Sequence, residues 1–196
     1  MTFLTSLELL KFHAVAYTIY ALIIVSTVAW FGYNLTRKEK VKSIVRIPFY
    51  GYMAFLVAGG VGHHIFTYNA IPWVSEDITR HEIKPDQVVD ITVADHKWQL
   101  PQLPIKIKAH TKVFFNVQSK DLVYGFGIFR KDGSMVTQMQ VNPNHKNDLL
   151  WTFHECGTFD ITSTEYSGPK QYSEDGKDLM YVKDVIVVEG CKGGNK

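Results

Sequence analysis

Charge is missing where a soluble protein would carry it. No Asp, Glu, Lys or Arg occurs between Phe12 and Thr36, and none between Ile47 and Ser75. Each gap exceeds the roughly 20 helical residues that cross a bilayer core. The 196-residue chain averages to an ordinary soluble composition, 46% hydrophobic and 20% charged, yet this distribution excludes a cytosolic protein. A basic stripe is missing too. From Glu76 onward 15 basic residues face 17 acidic ones, which removes the electrostatic footprint of a nucleic-acid binder. Cysteine is scarce: Cys156 and Cys191 are the two present. There are no internal repeats, and the one low-complexity tract, Gly193–Lys196, reads as a frayed end.

What is there divides at about residue 75. Residues 1–75 read as a transmembrane helical hairpin with spans at about 12–36 and 47–71, and residues 76–196 as an outer domain. A cleavable signal peptide fits the first span poorly, because a basic start is lacking and the apolar run is too long. The link Arg37–Arg46 holds five basic residues and one acidic, so the positive-inside tendency puts it in the cytoplasm and both chain ends outside. Trp30, Tyr33, Tyr68 and Trp73 suit the headgroup level. Pro48 is tolerated in a first helical turn. Gly59, Gly60 and Gly62 would let another membrane helix approach closely, which implies a partner subunit.

From Gln87 onward the pattern becomes short and alternating. Val88–Val93, Ile105–Ile107, Val113–Val117, Met135–Val141, Leu149–Phe153, Phe159–Ile161 and Val182–Val188 read as strands separated by turn formers such as Lys131-Asp132-Gly133. Seven or eight such strands imply an antiparallel sandwich or barrel. His96, His110, His145 and His154 show no metal-site spacing and read as surface histidines.

Two motifs carry a resemblance. Ser119-Lys-Asp-Leu-Val-Tyr-Gly-Phe126 is similar to the Ser-x-Asp-Val-x-His-x-Phe segment of subunit II of the haem-copper terminal oxidases. Gly157-Thr-Phe-Asp-Ile-Thr-Ser-Thr-Glu-Tyr-Ser-Gly-Pro169 is similar to that family's Gly-Thr-Tyr strand and Cys-x-Glu-x-Cys-Gly-Pro loop, and Asp184–Glu189 to its closing strand. The resemblance implies a cupredoxin-like outer domain behind a two-helix hairpin, with subunit I and the lipid bilayer as partners. In the family the loop holds a binuclear copper centre. Here its first histidine position is Tyr124, its two cysteine positions are Ser163 and Ser167, and its second histidine position is Gln171. The methionine position is Glu174, or Met180 if an insertion intervenes. Glu165, whose main-chain carbonyl is a ligand, stays in place. Serine hydroxyls are hard and protonated and replace thiolates poorly, so no copper is expected in this chain.

A family member without this copper implies quinol as donor, with haem and the oxygen-site copper in subunit I and no catalytic residue in this chain. Taking Ile47 as the inner boundary, His63 lies roughly 24 Å along a core roughly 30 Å thick. His63 and His64 then sit in the outer third, where one of them contacts the quinol or relays its proton, or both bond across a helix interface. Trp98 is either a docking aromatic or a core residue. Pairing Gly157–Ser163 with Lys183–Glu189, as in the resembled fold, would bring Cys156 beside Cys191 for a disulfide; if the register slips they are unrelated thiols. Two other functions remain: a subunit of a quinol-dependent nitric oxide reductase, and a purely structural subunit.

Overall fold

The computed structural model describes residues 3–39 and 48–191. Most of the basic link, and the tail Gly193–Lys196, lie outside the described residues. The chain forms two compact units.

The helical unit contains α1 (Ser6–Thr36) and α2 (Phe49–Ala70). By length and composition α1 is the one described helix able to cross a membrane. The second helix is uncharged, but Gly59, Gly60, Gly62, His63 and His64 dilute its apolar character. Of the expected two-span hairpin, the described residues show one apolar N-terminal helix of spanning length and a second, shorter uncharged helix. The Phe3 amide donates to the Ala70 carbonyl at 3.0 Å, which ties the entry of α1 to the end of α2, yet of all their described residues only Ser6 and Ala70 are buried. Neither helix covers a stripe on the other. Side chains such as Leu22, Phe31, Phe55 and Ile65 are exposed, as helices facing lipid or a partner require.

The outer unit begins with α3 (Pro72–Ile78), a short helix absent from the sequence-based expectation, with Pro72 in its first turn where the missing N–H costs nothing. Nine strands follow: β1 (Gln87–Ala94), β2 (Lys97–Gln99), β3 (Ile105–Lys108), β4 (Lys112–Ser119), β5 (Tyr124–Phe129), β6 (Met135–Val141), β7 (Asn147–Thr152), β8 (Gly157–Thr162) and β9 (Val182–Glu189). They build two sheets, β2-β1-β4-β7 and β3-β9-β8-β5-β6. Alternation places Val89, Ile91 and Val93 of β1 and Val113, Phe115 and Val117 of β4 inward, against Phe126, Ile128, Phe159, Ile161 and Ile186 of the other sheet.

The all-antiparallel expectation is corrected: β1 pairs with β4, and β3 with β9, in parallel. The chain crosses to the second sheet at β3 before returning beside β1, so the returning strand runs in the same direction. Two strands escape the pattern in the sequence. The hairpin β1–β2 turns on Asp95 and His96, both with positive φ (48° and 58°), a two-residue turn made without glycine. Strand β5 carries Gly125 and Gly127, which depress strand propensity.

Asp160 of β8 is 2% exposed. It accepts from Lys131 Nζ, from the Tyr181 hydroxyl at 2.6 Å and from the Asp184 amide at 2.8 Å. Burial pushes its carboxyl up, and these donors more than reverse that, holding it below the ordinary carboxylate value. The folded value lies below the unfolded one, so this contribution to stability is complete above about pH 4 and disappears as pH falls through the folded value. Asp160→Asn is therefore expected to lower stability at neutral pH by about 1–3 kcal/mol and to flatten the acid limb, as measured by denaturant midpoints of the solubilised chain between pH 7 and pH 2.

Cys156 and Cys191 are joined in a disulfide with Cα atoms 5.9 Å apart, where β8 begins and β9 ends. Antiparallel pairing sets Gly157 opposite Val188 and so brings the start of β8 beside the end of β9. Replacing both cysteines by Ser is expected to cost roughly 3–4 kcal/mol in the chain-entropy account, readable as a lower denaturant midpoint than that of the oxidised chain.

Candidate functional site: the loop after β8

Four segments meet at one end of the sandwich: the β1–β2 turn, the start of β5, the loop from Ser163 to Gly168, and the 3-10 turn Pro169–Gln171. The Ser119–Leu122 turn leading into β5 is organised by Asp121, whose Oδ2 accepts from the Asp95 amide at 2.8 Å and whose Oδ1 accepts from the Leu122 amide at 2.8 Å. The Tyr124 hydroxyl donates to the same carboxylate at 3.1 Å and accepts from the His96 amide at 3.3 Å. Its ring is fully buried, edge-on to His96 at 5.8 Å between centroids. Burial and the adjacent Asp121 carboxylate raise the Tyr124 phenol above its ordinary value. Burial alone would push Asp121 up, but the two amides and the phenol hold it below the ordinary carboxylate value.

The loop lies on β5. The Thr164 amide donates to the Gly125 carbonyl at 3.2 Å, and a Cβ at residue 125 would lie 2.8 Å from the amide nitrogens of both Thr164 and Glu165. At residue 127 a Cβ would strike Thr164 Cγ2 and the Phe129 ring. The two glycines that disguise β5 in the sequence are thus what lets the loop close on the strand.

Ser163 Oγ accepts from the Gly125 amide at 3.1 Å and donates to the Glu165 carbonyl at 2.8 Å. Gln171, 2% exposed, accepts at Oε1 from the Ser167 amide at 3.1 Å and from its hydroxyl at 3.2 Å. His96 Nε2 lies 3.1 Å from the Ser167 carbonyl; a carbonyl cannot donate, so this nitrogen carries the proton. Trp98 Nε1 donates to the Met180 carbonyl at 2.9 Å, and Met180 is fully buried. Trp98 also packs edge-on to Phe126 at 5.8 Å, half-buried at the rim of the core.

The sequence positions Tyr124, Ser163, Ser167 and Gln171 therefore do converge, with Glu165 and Met180, on one small region. Their donors are hydroxyls and a carboxamide, each engaged within the protein, and the Glu165 carbonyl is taken by Ser163. This donor set does not fit copper, which favours thiolate and imidazole. Among the described residues no three His, Cys, Asp or Glu side chains gather to hold a metal. His96 is a correction: read as a surface histidine, it is 5% exposed and belongs to this network. Its signal was the left-handed turn, which a sequence without Asn-Gly or Asp-Gly conceals. Glu174 has no part in the network. His63 and His64 lie in α2, exposed, with their rings edge-on and 6.0 Å apart between centroids.

No protein-family model matches the chain, and no curated protein matches it in sequence. Among solved structures, the periplasmic domain of subunit II of cytochrome oxidase (CoxB) of Bradyrhizobium japonicum aligns over 55% of this chain and 86% of its own, at 14% identity and a TM-score of 0.40. Auracyanin B aligns over 55% and 92%, at 12% identity and 0.42. A chain of a heme-copper terminal oxidase dimer aligns over 91% and 98%, at 15% identity and 0.39. These are distant likenesses.

Gly125→Ala is expected to lift the loop from β5 and cost about 1–3 kcal/mol. Faster amide exchange in residues 163–168 and a lower melting temperature are the readouts, and unchanged protection would show that the loop does not need this approach.

Proposed function

We propose that this chain is subunit II of a quinol-oxidising haem-copper oxygen reductase, cupredoxin-like in its outer domain and without a binuclear copper centre. It supports assembly and quinol oxidation on the outer side of the membrane. Haem and copper belong to subunit I, and the chain itself carries out no chemistry. The observation that carries this reading is the Ser163 hydroxyl. It stands where the resembled loop has a bridging thiolate, and it is spent on the Gly125 amide and the Glu165 carbonyl rather than offered to a metal. Tyr124 fills the place of an imidazole with a buried phenol bound to Asp121. A soft metal finds no partner in such a set. An electron-entry scaffold without its metal leaves a membrane quinol as the donor.

Two further parts of the reading rest on sequence. The chain crosses the membrane twice with both ends outside, on the basic link, and one of His63 and His64 contacts the quinol or relays its proton outward. Replacing each with Phe is expected to slow quinol turnover in at least one of the two variants. Unchanged rates in both, in an intact complex, would remove the pair from the reading.

The central test is the donor preference of the purified complex. Oxygen uptake is expected with a reduced quinol and not with reduced cytochrome c, and copper added to the chain should bring neither violet colour nor a mixed-valence paramagnetic signal. Either signal would overturn the proposal. Nitric oxide consumption in place of oxygen uptake would keep the quinol donor and change the acceptor.

A further inference from the structure

Two histidines meet at the end of the sandwich opposite the loop. Strand β4 starts there and β7 ends there, with Lys112 opposite Thr152. His110 precedes the one and His154 follows the other, 44 residues apart in sequence, so no local spacing announces them. Their Nδ1 atoms lie 3.3 Å apart, with the rings tilted at 57° and their centroids 5.4 Å apart. That is beyond the roughly 2.7–3.2 Å of an ordinary hydrogen bond from an N–H. It matches a different geometry. Two imidazole nitrogens, each about 2.0–2.1 Å from a tetrahedral zinc ion, lie roughly 3.3–3.4 Å from each other.

The backbones under the two rings are fixed. The His110 amide donates to the Phe153 carbonyl at 2.9 Å, and the Ala109 amide to the Glu189 carbonyl at 2.8 Å. The Thr111 hydroxyl closes the same turn on the Lys108 carbonyl at 2.6 Å, and His110 itself holds a left-handed φ of 62°. Beyond His154 the chain is held twice. Glu155 is clamped by Arg130 through bonds of 2.8 and 3.0 Å, and Cys156 is tied to Cys191 by the disulfide. Ligands on stems fixed in this way lose little freedom when a metal binds.

Charge and access suit a cation as well. Arg130 and Lys112 line the same concavity as the two histidines, but each is paired, Arg130 with Glu155 at 2.8 Å and Lys112 with Glu76 at 3.1 Å. Both histidines are exposed, which leaves water to fill the other coordination positions. Imidazole suits zinc, whereas calcium and magnesium prefer oxygen.

From this we infer that His110 and His154 form a surface zinc site, with two protein ligands and water completing the shell. Both imidazoles bind through Nδ1 and carry their proton on Nε2. The ion bridges the β3–β4 turn to the β7–β8 connection, at the end of the outer unit where the disulfide joins β8 to β9. The site is separate from the loop of Ser163 and Ser167, and it does not depend on which donor feeds the complex.

The test uses the whole chain, solubilised in detergent, stripped of metal with a chelator and titrated with zinc chloride. Calorimetry should show one zinc bound per chain, and zinc should raise the melting temperature. His110→Asn and His154→Asn should each weaken binding by at least the roughly 10- to 100-fold that loss of a supporting partner costs a metal site. Asn tolerates the left-handed backbone at residue 110. His145→Gln and His81→Gln, exposed histidines elsewhere on the outer unit, should leave the titration unchanged. In the unaltered chain, where no variant can misfold, zinc should protect His110 and His154 from acylation by diethyl pyrocarbonate. Protection of His63 and His64 in their place would overturn the site. So would titrations that neither single variant changes, or the absence of both binding heat and a melting shift in excess zinc.

Discussion

The closed end of the sandwich depends on the approach of the Ser163–Gly168 loop to β5. Backbone groups there come within hydrogen-bond reach only because residues 125 and 127 have no Cβ. Once the loop lies down, its polar groups lose water and must find partners. Ser163 serves two of them, Gln171 serves Ser167, and His96 takes the Ser167 carbonyl. The Tyr124 ring fills the space beneath. Each bond is modest, on the order of 1 kcal/mol net, but each broken one would leave a buried group unpaired. The loop is therefore held as a unit, and the β1–β2 turn is bound into it through both the His96 amide and its ring.

Much of this fold was readable from the residues alone, for reasons that differ by element. The strands β1, β3 and β4 carry clean period-two burial and announced themselves. The short helix α3 was hidden because Pro72 reads as the end of α2 as readily as the start of another helix. The turn at Asp95–His96 was hidden because non-glycine residues rarely take positive φ, so nothing in the local composition marks it. β5 was hidden by its glycines, whose role is tertiary. The parallel pairings were unreadable for a topological reason: which sheet a strand joins depends on long-range contacts that leave no trace in local alternation.

The site was legible in one respect and illegible in another. The resemblance to the oxidase loop marked Tyr124, Ser163, Ser167 and Gln171 as a set, and the structure brings them together. What the resemblance could not tell is how each side chain is occupied. A Ser163 turned to solvent would leave the Glu165 carbonyl open; instead it closes on that carbonyl. His96 entered from a part of the chain with no motif, through a turn the sequence conceals. Side-chain partnership is decided by the folded neighbourhood, and a pattern of residue types constrains it only loosely.

The two ends of the outer unit contrast in chemistry. At the loop, every named polar side chain is satisfied within the protein, by main chain or side chain, and Asp121 accepts three donors that hold its carboxyl below the ordinary carboxylate range. In the concavity lined by Trp73 and Trp151, Lys112 pairs with Glu76 and Arg130 with Glu155, and the tilted rings of His110 and His154 meet through their Nδ1 atoms at 3.3 Å. A saturated network resists any ligand, because binding would have to break bonds already made. Applied to this chain, that makes the loop a sealed scaffold, held by bonds within the protein.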